Sequence, residues 1–296
     1  MQTLLSGIGF GIIAGAILSI SAIGFSLQFG MTNIFNLGYG MVMSLGALVA
    51  YSVSSGGRAP LWLGAVAGTL AGGVATLAEG QFIFKPFARR GAKVFELAMV
   101  SVAVGLIGEF VMAAVTQSQL YAFQFPTGAQ FHVLDIVFST TNIVIIGVAV
   151  ASVALLELSL HATRLGIAIR ATSANPSLAR ASGIDTSKVV SLVWFVSGLF
   201  CGLGGVTLAL SYQTASFSLG PDYLPYLLAV IVVAGIGSVG YAALVAVLLS
   251  LVIQVSGGFG ASSYNVTIAL AVLLVMLLIR PQGIFGRFFE KTEVTV

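Results

Sequence analysis

The sequence predicts an all-α bundle of about eight or nine transmembrane helices. Composition is the first observation, because 58% of the residues are hydrophobic and only 7% are charged, against about 25% charged in a typical soluble domain. Apolar runs of about 20 residues also recur, and that length crosses a hydrocarbon core of about 30 Å. The few basic residues, finally, cluster between these runs. So few charges cannot cover a water-facing surface, so the chain is predicted to lie in a bilayer.

The predicted helices follow one another with short connections. They cover about 7–29, 40–55, 61–84, 96–116, 136–159, 188–211, 223–236, 239–256 and 264–280. The first has no basic residue before it and no small-residue cleavage site after it, so it is interpreted as a retained span and not a signal peptide. All 296 residues, 1–296, are predicted to form a single membrane domain.

Glycines recur at four-residue spacing in three of these segments, and this spacing predicts close helix packing. Small residues one turn apart let helix backbones approach each other in lipid. The ridges are Gly7, Gly11 and Gly15; Gly64, Gly68 and Gly72; and Gly198 and Gly202.

Two stretches interrupt the apolar pattern and are predicted to be broken or re-entrant. One is GMTNIFNLGYG at 30–40, and the other is the short segment 223–236 with the glycine-rich AGIGSVG at its end. Non-helical backbone at membrane depth is tolerated only where it lines a cavity or is buried in protein. The residues predicted to form the substrate pathway or a gate are therefore Asn36, Gly38, Tyr39, Gly40, Gly235, Gly237 and Ser238.

Basic residues occur in three groups, which the positive-inside rule assigns to the cytoplasm. The groups lie at 85–93, 164–188 and 280–291, whereas Arg58 is assigned to the outside. The side of the N-terminus is left open, but it is outside if two spans precede Arg58.

Intramembrane acidic residues are costly and by default functional. Glu109 lies about 20 Å beyond the cytoplasmic end of its predicted helix, at 1.5 Å per residue, and is assigned to the pathway. The alternative is a structural glutamate that is hydrogen-bonded to a neighbouring helix. Glu79 and Glu157 lie near cytoplasmic helix ends, within reach of Lys85 or His161, and are interpreted as structural.

Catalytic and metal-binding motifs are not found in the sequence. HExxH, CxxC, GxSxG and the phosphate-binding GxxxxGK[ST] do not occur, and the two histidines are predicted on opposite sides of the membrane. We therefore expect no catalytic residues, no metal site and no cofactor in this chain. An enzyme is disfavoured, whereas a transporter or channel fits.

A polar stretch at 165–189, LGIAIRATSANPSLARASGIDTSKV, lies within a predicted cytoplasmic region at about 161–188. Asn175 is suited to cap a short helix, Pro176 to occupy its first turn, and Gly183 to end it. Such a helix suits docking into a groove of another protein. A loop held on lipid headgroups by Arg170, Arg180 and Lys188 is the alternative, and the residues alone leave both open.

Several short motifs along the chain together resemble the permease subunits of the branched-chain amino acid ABC importers, the LivH/LivM type. They are GIAIRAT at 166–172, LARASGI at 178–184, GIGS at 235–238, RPQGIFG at 280–286 and NLGYG at 36–40. The resemblance covers essentially the whole chain.

The resemblance implies an ATP-driven importer that works by alternating access in a bacterial inner membrane. The partners it implies are a second permease, two ATP-binding subunits that hold ATP and Mg²⁺, and a periplasmic binding protein. It identifies the polar stretch as the coupling helix, whose ATPase-contacting residues would be Arg170, Asn175, Pro176, Leu178, Ala179, Arg180 and Gly183.

Departures from the family pattern leave the solute open. Ala174 and Asn175 stand where the family often has an acidic residue, and Tyr39 and Met41 stand where it has histidine and an acidic residue. A branched-chain or other hydrophobic amino acid is the main expectation, while urea, short amides and aromatic acids are alternatives. A secondary transporter or channel is the alternative class.

Overall fold

A computed structural model describes residues 2–55, 59–123, 130–133, 136–235, 237–280 and 282–285. The helices are α1 Gln2–Thr32, α2 Tyr39–Ser54, α3 Leu61–Ala78, α4 Lys85–Arg89, α5 Val94–Thr116, α6 Thr140–Ala162, α7 Arg164–Ala174, α8 Pro176–Ala181, α9 Thr186–Tyr212, α10 Leu219–Ala234, α11 Val239–Ser256 and α12 Asn265–Ile279. The strands are β1 Tyr121–Ala122, β2 Gln130–Val133, β3 Ile136–Ser139 and β4 Thr214–Ala215, and π-helical turns cover Glu79–Phe84 and Gly257–Ala261. Antiparallel pairs join β1 to β4 and β2 to β3.

The predicted all-α polytopic bundle is confirmed. Within the described residues, six helices are long and apolar enough to cross a membrane, namely Ser6–Thr32, Leu61–Arg89, Val94–Thr116, Thr140–Ala162, Thr186–Tyr212 and Val239–Ser256. Shorter apolar helices cover Tyr39–Ser54, Leu219–Ala234 and Asn265–Ile279. One predicted boundary is wrong, because Ile136–Ser139 form a strand and α6 begins at Thr140, where the Ser139 hydroxyl accepts a hydrogen bond from the Thr141 N–H at 3.1 Å.

All three glycine ridges are helix contacts. A Cβ on Gly15 of α1 would lie 2.7 Å from Val247 Cα of α11, and one on Gly72 of α3 would lie 2.5 Å from Gly198 O of α9. These approaches are too close for any side chain. The two helix pairs therefore pack backbone against backbone, as van der Waals packing in lipid requires.

Helix directions follow from these contacts. Gly7 of α1 lies beside Val255 of α11, and Gly30 lies beside Gly237, so the two helices are antiparallel. Helix α1 is also antiparallel to α9, since its Ser21 meets Gly204 and its Gln28 bonds Ser197. The N-terminal end of α1 therefore lies on the same face as the end of α9, opposite the basic segments at 85–93 and 164–188. That agrees with an outside N-terminus, while Arg58, Arg287 and Lys291 lie outside the described residues.

The chain contains an inverted structural repeat that the sequence analysis did not predict. Helices α1 and α9 each end at a residue in the left-handed conformation, Asn33 with φ 57° and Gln213 with φ 55°. Each is followed by a non-helical connection, a 16-residue helix (α2 or α10) and an 18-residue helix (α3 or α11) that continues into a π-helical turn. Because α1 and α9 run in opposite directions, the two units have opposite orientations, an arrangement common in transporters.

Candidate functional site

The connection between α1 and α2 returns from the end of α1 into the membrane interior. Asn36 orders it, because its Oδ1 accepts a hydrogen bond from Gly38 N–H at 3.0 Å and its Nδ2 donates to Glu79 Oε2 at 3.1 Å. Both side chains are buried, with exposed fractions of 1% for Asn36 and 5% for Glu79. The predicted break at this connection is confirmed, and the Asn36 amide and the Gly38 N–H find partners within the protein, as burial requires.

The sequence placed Glu79 near a cytoplasmic helix end, but in the structure its side chain is buried inside the bundle. It does not pair with Lys85, whose Nζ donates instead to Ser187 Oγ at 2.8 Å. Among the described atoms, Glu79 Oε1 is buried without a hydrogen-bond partner. Among the described residues, Glu79 is therefore a deeply buried carboxyl, whereas Glu109 is only half-buried.

Helix α5 holds the same connection from its other side. The Ser101 hydroxyl accepts from Leu37 N–H at 2.9 Å and lies 3.0 Å from Phe35 O, to which it can donate. A Cβ on Gly105 would lie 3.0 Å from Gly38 Cα, so α5 approaches the backbone directly.

Tyr39 begins α2 and is completely buried, with an exposed fraction of 0%. Its hydroxyl donates to Ser197 O of α9 at 2.8 Å, and the Ser197 hydroxyl donates to Gln28 Oε1 of α1 at 3.1 Å. A Cβ on Gly24 would lie 2.5 Å from the Tyr39 hydroxyl, so glycine is required there. Tyr39 thus joins α1, α2 and α9 and does not line an open pathway in this conformation.

The two short helices begin next to each other at membrane depth. Gly220 N–H donates to Ser44 Oγ at 2.8 Å, and a Cβ on Gly40 would lie 2.9 Å from Pro221 N. The N-cap residues of the two helices, Gly38 and Ser218, make no side-chain cap hydrogen bond of their own. Two helix N-termini, which carry partial positive charge, therefore meet inside the bundle.

Glu109 and Asp222 lie near these helix starts, on an outward-looking surface. Gly108 of α5 packs against Met41 of α2, Glu109 is half-buried, and Asp222 in the first turn of α10 is exposed and close enough to interact electrostatically with Glu109. The Tyr223 hydroxyl donates to Ala14 O at 3.4 Å. Because Ala14 lies about 18 Å from the start of α1, at 1.5 Å per residue, the first turn of α10 lies at membrane depth. We call this surface, with Met41, Glu109 and Asp222, the acidic face.

Gly235, Gly237 and Ser238 form the tight turn between α10 and α11, at the cytoplasmic end of the bundle. The φ angles are 95° at Gly235 and 89° at Gly237, which only glycine adopts readily. The Ser238 hydroxyl closes the turn by donating to Ala234 O at 3.1 Å or to Gly235 O at 2.5 Å. These residues are thus a helix end, as the sequence suggested, and the 16 residues of α10 separate them from Gly40, which lies beside the start of that helix.

A cytoplasmic cleft of about 670 Å³ opens beside this turn. Its walls include Glu157, His161 and Arg170 together with the turn and the apolar side of α1. Glu157 Oε2 lies 3.2 Å from His161 Nδ1, which confirms the expected structural pairing of these two residues.

The polar stretch folds as α7 and α8 on the cytoplasmic side. Asn175 Oδ1 accepts from Leu178 N–H at 3.0 Å, Pro176 is the first helical residue, and Gly183 has φ 84°, so the predicted cap, start and stop are confirmed. The side chain of Leu178 is 63% exposed, whereas Ala179 is only 3% exposed and packs into the bundle. Ala179 therefore cannot contact a partner, because its side chain is already buried.

Some charged residues of this region bond to other parts of the chain, whereas others are exposed on the surface. The Arg170 guanidinium donates to Leu160 O at the end of α6, so it holds α6 and α7 together. Arg180 is exposed. Asp185 begins α9, and the Lys188 backbone N–H that donates to its carboxylate lowers the pKa of Asp185.

No metal site is present among the residues that the structure describes, since no three His, Cys, Asp or Glu side chains cluster there. The polar groups at membrane depth instead hold broken helices together or lie on the acidic face.

Comparison of the sequence with known proteins gives a family match over most of the chain. A profile of the family described as branched-chain amino acid transport system, permease component, matches residues 7–279. The chain is 29% identical to a probable branched-chain amino acid transport permease protein LivH of Methanocaldococcus jannaschii, over 95% of this chain and 92% of that one. It is 23% identical to the high-affinity LivH permease of Escherichia coli and 24% identical to the BraD permease of Pseudomonas aeruginosa, each over 94% of both chains. No solved structure gives a significant match.

Proposed function

Because the chain belongs to the family of permease components of branched-chain amino acid transport systems, we propose that it is the multi-pass permease subunit of an ATP-driven importer. The family match along residues 7–279 is the observation that carries this proposal. The chain would move its solute by alternating access between two conformations of the permease. A partner protein would interact differently with the two conformations and so change the free-energy difference between them. ATP and Mg²⁺ would be bound by two separate ATP-binding subunits, and a periplasmic protein would deliver the solute.

The solute we propose is a branched-chain or other hydrophobic amino acid. Relatives in two bacteria and one archaeon are named for branched-chain amino acids. The departures at Tyr39 and Met41 argued for urea, short amides or aromatic acids. That argument is weakened, because Tyr39 is buried among helices and Met41 packs against Gly108.

Helix α8 supports docking of an ATP-binding subunit. Leu178 presents an apolar side chain on the cytoplasmic face with Arg180 beside it, and the capped ends keep the helix formed. An exposed leucine on a short rigid helix suits a groove in a partner protein. The contact would rest on Leu178 and Arg180, because Ala179 is buried and Arg170 is engaged with α6.

The acidic face supports pairing with a second permease. A charged side chain at membrane depth is costly when it faces lipid, and such residues usually face protein or a water-filled cavity. Asp222 is exposed in the single chain, so a second permease would shield it from lipid and leave it facing a water-accessible pathway. Glu109 would line the same pathway.

Transport by the reconstituted complex tests the proposal. The permease, its second permease and two ATP-binding subunits are placed in proteoliposomes with the binding protein, and uptake of radiolabelled leucine is measured with and without ATP. We expect saturable uptake only with ATP and with the ATP-binding subunits present. Saturable uptake by the permeases alone would identify a secondary transporter or channel and overturn the proposal.

A further inference from the structure

The segment that follows α12 crosses back over the end of α10. Ile284 N–H donates to Val233 O at 2.9 Å, and Phe285 N–H donates to Ala234 O at 3.3 Å. These carbonyls belong to the last turn of α10, where a helix has no internal donors to offer. Residues 282–285, which we call the inner strap, therefore complete the end of this helix.

Two glycines bring the inner strap against the backbone of the α10–α11 turn. A Cβ on Gly283 would lie 2.4 Å from Gly235 N, so no side chain fits between them. On the far side of the turn, a Cβ on Gly30 of α1 would lie 3.3 Å from Gly237 O. The turn is thus held between α1 and the strap.

Phe285 anchors the strap at the cytoplasmic cleft. Its ring stacks on Tyr241 of α11, with centroids 4.0 Å apart and an angle of 6° between the rings. Phe285 lines the cleft of about 670 Å³ together with Arg170 of α7, the helix that precedes α8. The strap therefore lies between the region proposed to dock the ATP-binding subunit and the short helix α10.

A corresponding segment lies on the outer side, in the other half of the inverted repeat. Residues 121–123, the outer strap, follow α5 and pair with Thr214–Ala215, and Phe123 N–H donates to Gln213 O at 2.9 Å. The ring of Tyr121 lies 4.9 Å from the ring of Tyr51, near the end of α2. Each strap thus covers the end of one short helix, on opposite sides of the membrane.

We propose that the inner and outer straps are paired closures of the permease, and that each must leave its short helix during the transport cycle. The inference rests on the proposed alternating access. The inner strap is held by a few backbone hydrogen bonds and one aromatic contact, and the outer strap by backbone bonds to residues 213–215 and by the contacts of Tyr121 and Phe123 with Tyr51. The cleft beside the inner strap gives it room to move. Gly283 and Phe285 are therefore positioning residues for the α10–α11 turn.

Reversible bridging tests the proposal in the reconstituted complex. Tyr241→Cys and Phe285→Cys are combined in a Cys201→Ser background, because Cys201 is the native thiol of the chain. A short bifunctional thiosulfonate bridges the pair, and the mass of the bridged chain gives its yield. We expect bridging to lower ATP-driven leucine uptake by about 10-fold or more, within the usual range of coupling effects, and reductant to restore it. Tyr51→Cys with Tyr121→Cys should respond in the same way.

The matched control is Leu248→Cys with Val252→Cys, one turn apart on the exposed side of α11, where a bridge restrains no second element. This bridge should leave uptake unchanged. Uptake that survives either strap bridge would overturn the proposal. Failure of either cysteine pair to be bridged would overturn it as well. If the complex without the introduced cysteines showed no ATP-driven leucine uptake, that result would instead contradict the proposed function.

Discussion

Asn36 uses both ends of its amide to fasten one helix connection to another helix. Its Oδ1 receives Gly38 N–H and its Nδ2 reaches Glu79, 43 residues further along the chain. A buried polar group that loses its partner retains its full desolvation cost. Asn36, which the sequence marked for the pathway, is thus first a structural residue, and the same holds for Tyr39.

Asn36→Ala should destabilise the folded permease by about 1–3 kcal/mol, because Glu79 and the Gly38 N–H would lose a partner in the membrane interior. Thermal unfolding of the detergent-solubilised chain, followed by intrinsic fluorescence, measures this change. Gln119→Ala, at an exposed position, is the matched control and should have little effect. An unchanged melting temperature for Asn36→Ala would show that the amide is not structural.

Helix α8 is an element whose two neighbouring residues have opposite surroundings. Leu178 is exposed and Ala179 is buried, although they are adjacent in sequence. The helix is short, and Asn175 and the left-handed Gly183 define its ends. A partner can therefore bind the side of this helix that carries Leu178, while the side that carries Ala179 is buried in the permease.

Leu178→Asp should weaken binding of the ATP-binding subunit by about 30-fold, the loss of a central apolar contact worth about 2 kcal/mol. Co-purification through a tag on the permease measures it. Leu178→Met keeps the volume and apolar character and should retain the subunit. By contrast, Ala179→Asp should destabilise the permease itself, since it would bury a charge. A complex that survives Leu178→Asp intact would exclude docking through this residue.

At the scale of the whole molecule, the inverted repeat brings two short helices together and leaves the acidic face on the outside of the chain. Gly40 and Gly220 mark the point where the two halves meet. Asp222 then lies where lipid would be costly, so the architecture calls for a protein or water neighbour.

Asp222→Cys, in a Cys201→Ser background, should react with a membrane-impermeant maleimide in the assembled complex, because the position faces a water-accessible pathway. Leu274→Cys on α12, an apolar residue that is 57% exposed, should stay unlabelled in the same complex because it faces lipid. Mass spectrometry of the permease gives both yields. Equal, negligible labelling of the two positions would place Asp222 away from the pathway.

Much of the fold was accessible from sequence. Apolar runs gave the helices, basic clusters gave their orientation, and Asn175, Pro176 and Gly183 gave a short cytoplasmic helix with its ends. Glycine spacing also predicted which helix sides touch. These features depend on composition and on residues within a few helical turns of one another, so they can be predicted from the sequence alone.

Tertiary structure alone decided which distant groups meet. It paired Asn36 with Glu79, buried Tyr39 and Ala179, and placed Gly283 on Gly235. It also revealed the inverted repeat, whose halves share helix lengths and left-handed helix ends. The physical reason is that a buried contact depends on two surfaces whose residues lie far apart in the chain, and neither surface by itself specifies the other.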